Sequence, residues 1–183
     1  IVPSEPWDVH GCEDPRVTFF EGKYYIFYTA LSGFPFNADN IKVAVAVSKD
    51  LKNVEERHLV TPFNAKAMTL FPERINGKIT VIFSAHTDMP PAKMAIAQFD
   101  KIEQLWDESF WQEWLKNIET NSVDFRRNQY DHLEIGTPPI KTKYGWLLLY
   151  HGVSKSHNTY RVGVLLLDLK DPAIVLARSS DAI

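Results

Sequence analysis

Three short stretches gather carboxylates and cations beside strand-like apolar runs: Glu13-Asp14-Pro15-Arg16, Glu73-Arg74, and Asp131-His132-Leu133-Glu134 with Lys141 shortly after. Paired carboxylates in one cleft are what glycosidic cleavage requires, because one protonates the leaving oxygen while the other activates water or stabilises developing charge. Cations beside them hold a phosphate or orient a carboxylate. Each group also has a plainer reading. Arg16 can serve only to balance Glu13 or Asp14 as a buried charge, and Glu73-Arg74 can be a solvated hairpin pair of little energetic consequence. His132 and His151 are more often hydrogen-bonding residues than catalytic bases. For Asp14 the functional reading is favoured, since the residue before a proline is held extended and so aims its carboxylate in a fixed direction.

These residues recur at related places in a repeated plan. Asp14-Pro15-Arg16 leads through residues 17–20 to a turn at Gly22, then to apolar runs at 24–28 and 41–47. Phe71-Pro72-Glu73-Arg74-Ile75 leads to Asn76-Gly77 and runs at 79–83 and 92–99; Pro138-Pro139-Ile140-Lys141 leads past Gly145 to runs at 146–150 and 160–167. Asn-Gly is the dipeptide that a type I′ hairpin selects, because both central positions need positive φ. "KVAVAVS" and "AKMAIAQ" alternate as half-buried strands do. The unit is a small antiparallel meander, and a radial array of meanders is an all-β propeller. If the first strands of the units converge on one axis, equal positions meet in space. Glu13, Asp14 and Arg16 are then expected near Glu73 and Arg74, and near Lys141 with Asp131, His132 and Glu134.

One segment breaks the plan. Over residues 107–118, Phe110, Trp111, Trp114, Leu115 and Ile118 fall on one helical stripe, and Ser109 with Gln112 forms a candidate capping box. The spacing predicts a single inserted helix, packed by its tryptophans on a sheet edge, with sugar stacking by Trp111 or Trp114 as the alternative.

Composition narrows the function classes. The net charge of −3, from 20 basic and 23 acidic residues, provides no basic field for a nucleic acid. Cys12 is the one cysteine, so no internal disulfide forms, and no Cys/His spacing of the zinc type appears. A reducing, cytoplasmic setting is expected. No apolar run reaches the roughly eighteen residues that a membrane helix needs. At 183 residues the chain is expected to form a single, partial β-propeller domain over 1–183.

"GCEDPRVTFFEGKYYIFYTA", "LFPERINGK" and "GTPPIKTKYGWLLLYHGV" resemble, in order, three signature blocks of glycoside hydrolase family 130, the β-mannoside phosphorylases and related β-mannosidases. The resemblance implies a five-bladed β-propeller with its active site at the axis, about three of whose blades lie in this chain. It implies inverting cleavage of β-mannosidic bonds of an oligosaccharide, without a metal or other cofactor. Asp14 matches the general acid, thought to act through a sugar hydroxyl, and Arg16 a supporting position. Lys141 in "PPIKT" matches a basic position associated with phosphate, and Tyr150-His151-Gly152 matches the "YHG" that follows. Glu13, Arg16, Glu73, Arg74, Asp131, His132, Tyr150 and His151 are the expected substrate-binding residues.

Two departures shape the expected reaction. Phosphorylase-like members carry a His-Arg pair after the second block, whereas here residues 82–86 end in His86 without an arginine. Glu134, just before the third block, stands where hydrolase-like relatives supply a carboxylate base. The reading therefore leans to hydrolysis, with Asp14 as acid and Glu134 as base. The alternative is phosphorolysis to mannose 1-phosphate, with inorganic phosphate as co-substrate held by Lys141 and by Arg126 or Arg127. Other classes are a non-catalytic carbohydrate-binding propeller and a relative acting on furanosides. Three units do not close a ring, so a longer chain or a homo-oligomer is expected to complete it.

Overall fold

The computed structural model describes residues 1–89, 92–123, 132–154, 159–180 and 183. It is built of three antiparallel sheets taken in chain order. The first runs β1 (Gly11–Phe20), β2 (Lys23–Leu31), β3 (Ile41–Ser48), β4 (Glu56–Leu59), each strand beside the next. The second has β5 (Ala65–Leu70), β6 (Ile79–Ala85) and β7 (Lys93–Phe99). In the third, β10 (Gly145–Ser154) is central. It pairs with β8 (His132–Ile135) and β9 (Ile140–Thr142) on one side and with β11 (Thr159–Leu167) on the other, and β12 (Val175–Arg178) closes the outer edge. Local chemistry sets the hairpins: Asn76 and Gly77 take φ of 51° and 80°, the pair of positive values that a type I′ turn demands.

Two apolar layers hold the sheets together. Phe27, Val43 and Val45 of the first sheet pack with Val81 and Phe83 of the second. The other face of the second sheet, through Ile82 and Met94, packs with Ile135, Trp146, Tyr150 and Leu165 of the third. The second sheet is thus covered on both faces, which explains why every residue of β6 is buried and why its sequence runs apolar without alternation.

The inserted helix is present as α1 (Glu108–Lys116), followed by the short α2 (Ile118–Asn121). Its cap differs from the expected box. Asp107, two residues before the expected cap Ser109, accepts from the Ser109 amide and hydroxyl, because a carboxylate outcompetes a hydroxyl for the free amides of the first turn. Trp111 and Trp114 are buried against Phe63 and Phe83, and their indole N–H groups donate to the carbonyls of Leu105 and Ile96. Both are core residues, which overturns the stacking alternative.

The largest correction concerns the register of the repeat. Residues 71–75 do not form the leading strand of the second sheet; β5 does, and Pro72 lies in the connection after it. In β1 the ladder slips between Glu13 and Arg16, where Asp14 and Pro15 face the one residue Tyr28 of β2, with Asp14 at φ 52°. In β5 it slips in the same way between Lys66 and Thr69, with Ala67 at φ 55°. The bulge makes Ala67, not Glu73 or Arg74, the counterpart of Asp14. Pro15 sits inside a bulge, Pro72 beyond a strand and Pro139 between two strands, so proline marks three different places. The bulge also overrides the extended conformation expected before Pro15, since aspartate is among the few residues that tolerate left-handed backbone.

The N-terminal segment folds back on the outer face of the first sheet. Asp8 is fully buried there and accepts from the amides of Ser4 and Glu5 and from the Tyr28 hydroxyl, with Arg57 as its counterion. Burial, with Asp8 nearby, pushes the Cys12 thiol up to about 11, which leaves it a poor nucleophile. Among the described residues no helix is long and apolar enough to cross a membrane.

Candidate active site

Arg16 organises the bulge of β1. It is buried, its Nη1 donates to the carbonyl of Asp14 at 2.8 Å, and its Nε (3.0 Å) and Nη2 both donate to the carbonyl of Ile135. One side chain therefore ties the left-handed turn at Asp14 to β8, 119 residues further along the chain. Burial pushes the guanidinium below its ordinary value, and the charges of Asp14 and then Glu134 oppose that shift. Asp14 and Glu134 thus both lie within electrostatic reach of one desolvated cation. Asp14 and Glu13 are exposed, and Glu134 is half-buried. A fixed positive charge near both offsets part of the repulsion between two carboxylates. The Asp14 carboxylate is exposed, and the bond from Arg16 fixes the backbone that carries it.

Strand alternation places the neighbours. Glu134 stands opposite His151 in the ladder and Ile135 opposite Tyr150. Directly opposed residues share a face, so His151 joins Glu134 while Tyr150 turns into the core. Tyr150 is 1% exposed, and a Cβ on Gly163 would lie 2.3 Å from its ring. That packing corrects the expectation that Tyr150 contacts substrate. The expected residues Arg126, Arg127 and Asp131 lie outside the described residues, as does the His132 side chain; the His132 backbone begins β8.

Glu73, Arg74 and Lys141 do not join Asp14. Arg74 grips Glu21 through Nε at 2.6 Å and Nη2 at 3.3 Å, and Glu21 lies at the β1–β2 turn. Lys141 pairs with Glu73 and stands opposite Trp146, five residues along β10 from His151. At about 3.3 Å per residue, that is roughly 17 Å from the row of Glu134. The three form a surface chain of ion pairs at the turn end of the strands, and the expectation of one shared funnel is corrected accordingly. Lys141→Met should change stability by less than about 1 kcal/mol, as for other exposed pairs, and leave the phosphate dependence of any turnover unaltered. Urea unfolding and a phosphate titration check both halves.

At the Asp14 end the structure instead assembles residues that the sequence did not single out. Lys66, in the place that corresponds to Glu13, reaches Asp88 at 3.2 Å. Asn64 donates to Asp88 and accepts from its amide, and Thr87 donates to it as well. Burial raises the Asp88 carboxyl, but Asn64, Lys66 and Thr87 together bring it below its ordinary value. His86, at φ 57°, has its imidazole pushed down by burial and by Lys93, which is itself paired with Glu119. The signal that would have found this cluster is the repeated bulge. It is invisible in residue type, because the counterpart of Asp14 is an alanine. No group of three or more His, Cys, Asp or Glu among the described residues could hold a metal ion.

The whole chain, residues 1–183, matches a family model described as beta-1,4-mannooligosaccharide phosphorylase, the Glyco_hydro_130 family. A 1,2-beta-oligomannan phosphorylase of Thermoanaerobacter sp. (strain X514) is 37% identical over 96% of this chain and 54% of its own length. The solved β-1,2-mannobiose phosphorylase of Listeria innocua, in complex with β-1,2-mannobiose, superposes with a TM-score of 0.78 at 30% identity. That alignment covers 99% of this chain and 47% of that one. A further structure, from work describing GH130 glycoside hydrolases that target β-1,2 mannosidic linkages in Candida mannan, aligns with a TM-score of 0.66. It covers 97% of this chain and 54% of that one, and at 19% identity it speaks for the fold alone. The chain spans about half the length of the curated relatives it matches.

Proposed function

Because the chain belongs to glycoside hydrolase family 130, we propose that the site around Asp14, Arg16 and Glu134 serves the cleavage of β-mannosidic bonds, with inorganic phosphate as the nucleophile. The observation that carries the reading is the buried Arg16, which ties the backbone at the exposed Asp14 to that of β8 beside Glu134 and feels the charge of both carboxylates. The preference for phosphate over water rests on the named relatives at 30 to 37% identity, all of them phosphorylases. The three sheets correspond, on this reading, to three blades of a five-bladed propeller, with β1, β5 and β8 on the inner side.

In the reaction a phosphate oxygen attacks the anomeric carbon as the glycosidic C–O bond breaks. Asp14 supplies the proton, which reaches the leaving oxygen through a sugar hydroxyl, and the products are mannose 1-phosphate and a shortened sugar. Arg126 and Arg127, ahead of Glu134 in the chain, keep the phosphate role read from the sequence. Lys141, at the turn end, is the weaker candidate. Hydrolysis is the second reading, and one observation favours it: Glu134 is the carboxylate that shares Arg16 with Asp14, as a base for water would.

Incubating the protein with β-1,2- and β-1,4-mannobiose, with and without phosphate, separates the two. Phosphorus NMR should show mannose 1-phosphate only when phosphate is supplied. Free mannose released at the same rate in both buffers would overturn phosphorolysis and move the role of base to Glu134.

A further inference from the structure

The segment between β2 and β3, residues 32–40, exposes two phenylalanines. Phe34 is 75% exposed and Phe36 49%, and their rings meet edge to face with centroids 5.4 Å apart. Two exposed rings in contact form a small apolar patch on which the apolar face of a ligand can pack. The backbone beneath them is built rather than loose. Asn37 and Asn40 form a reciprocal capping box around the 3-10 turn at Ala38–Asn40. The Asn40 amide nitrogen donates to the Pro35 carbonyl at 2.9 Å, and the Ser32 amide donates to the Asn40 carbonyl at 2.9 Å. Gly33 lies so close to Asn40 that a Cβ there would sit 3.1 Å from its side chain.

The register gives the pair its place. Glu13 faces Thr29 and Gly11 faces Leu31, so the segment leaves β2 only two residues, or about 7 Å, beyond the row that precedes Asp14. It lies at the Asp14 end of the strands, opposite to the turn end where Arg74 and Lys141 pair. A pyranose presents one face of C–H bonds that packs on an aromatic ring much as an apolar side chain does. We infer that Phe34 and Phe36 form a stacking platform for a sugar residue of a manno-oligosaccharide adjacent to the bond at Asp14. The inference rests on the function proposed above and adds a determinant of chain length. The two rings contribute to a longer mannoside and little to the shortest one.

The test compares the wild-type protein with a Phe34→Ala/Phe36→Ala double variant and with Phe34→Tyr. Calorimetric titration with mannobiose and mannotetraose, each in β-1,2 and β-1,4 linkage, measures affinity, and size-exclusion chromatography measures oligomeric state. The double variant should bind mannotetraose about tenfold more weakly, with mannobiose affinity within twofold, while Phe34→Tyr retains wild-type affinity. Wild-type binding of mannotetraose that survives in the double variant overturns the platform and leaves the proposed function standing. A wild-type protein that binds none of these sugars overturns both. A double variant that changes oligomeric state assigns the pair to a protein interface, and the platform falls. Both exposed positions lie outside the core, so thermal unfolding should be unchanged.

Discussion

Asp14→Asn should lower the turnover of β-mannosides by about 10²- to 10⁴-fold, the range ordinarily lost with a general acid, while leaving the unfolding midpoint nearly unchanged. The two halves of this expectation have separate causes. Asparagine keeps the size of the side chain and tolerates the left-handed φ of 52° that the bulge imposes. The hydrogen bond from Arg16 goes to the Asp14 carbonyl, which the substitution retains. Since the carboxylate itself is exposed, no buried partner is stranded by its loss. What disappears is the transferable proton. The effect should be largest for substrates with a poor leaving group and smaller for aryl mannosides, whose departing oxygen needs less help. Steady-state rates on mannobiose and on an aryl mannoside measure the difference. Equal rates for Asp14→Asn and wild type on mannobiose would remove Asp14 from the role of acid.

Arg16→Met should unfold the protein at lower urea as well as abolish turnover. Methionine approximates the length of the stem but donates nothing to the carbonyls of Ile135 and Asp14. Leaving buried acceptors unpaired costs about 1–3 kcal/mol each, and the charges of Asp14 and Glu134 lose a cation that both feel. A total near 3–5 kcal/mol is expected, comparable to breaking other buried charge arrangements. Arg16→Lys keeps the charge but not the fork that reaches two carbonyls at once, so it should recover only part of the stability. Chemical denaturation of the three proteins orders them as wild type, Arg16→Lys, Arg16→Met. An Arg16→Met variant as stable as wild type would show that the tie between β1 and β8 is dispensable.

Much of the sheet structure was legible because its signals are local. The Asn76-Gly77 dipeptide, the alternation in 41–47 and the helical stripe of 110–118 each specify their element within a few residues, and each lies where those patterns place it. The approach of β1 to β8 was also reachable, because each leads its sheet. What could not be read is register. A bulge inserts one residue without changing residue type, and an alanine at 67 gives no hint that it repeats the backbone of Asp14. Proline is the more visible repeat in the sequence, but it sits at three different places in the sheets, so it does not bring Glu73, Arg74 and Lys141 to Asp14. The Asp8 network was missed for a related reason. A single acid in an N-terminal stretch shows no periodicity, and only the fold reveals that it collects Ser4, Glu5, Tyr28 and Arg57.

The twin bulges of β1 and β5 have a consequence for how such a site can change. Both strands carry the same kink, but only one kink bears a carboxylate. The geometry that presents a side chain there therefore does not depend on the chemistry installed at it. A chain assembled by duplication of one sheet acquires several such mounting points at once. Reactivity can then be lost at one, kept at another or altered by a single codon, with no strand having to be rebuilt.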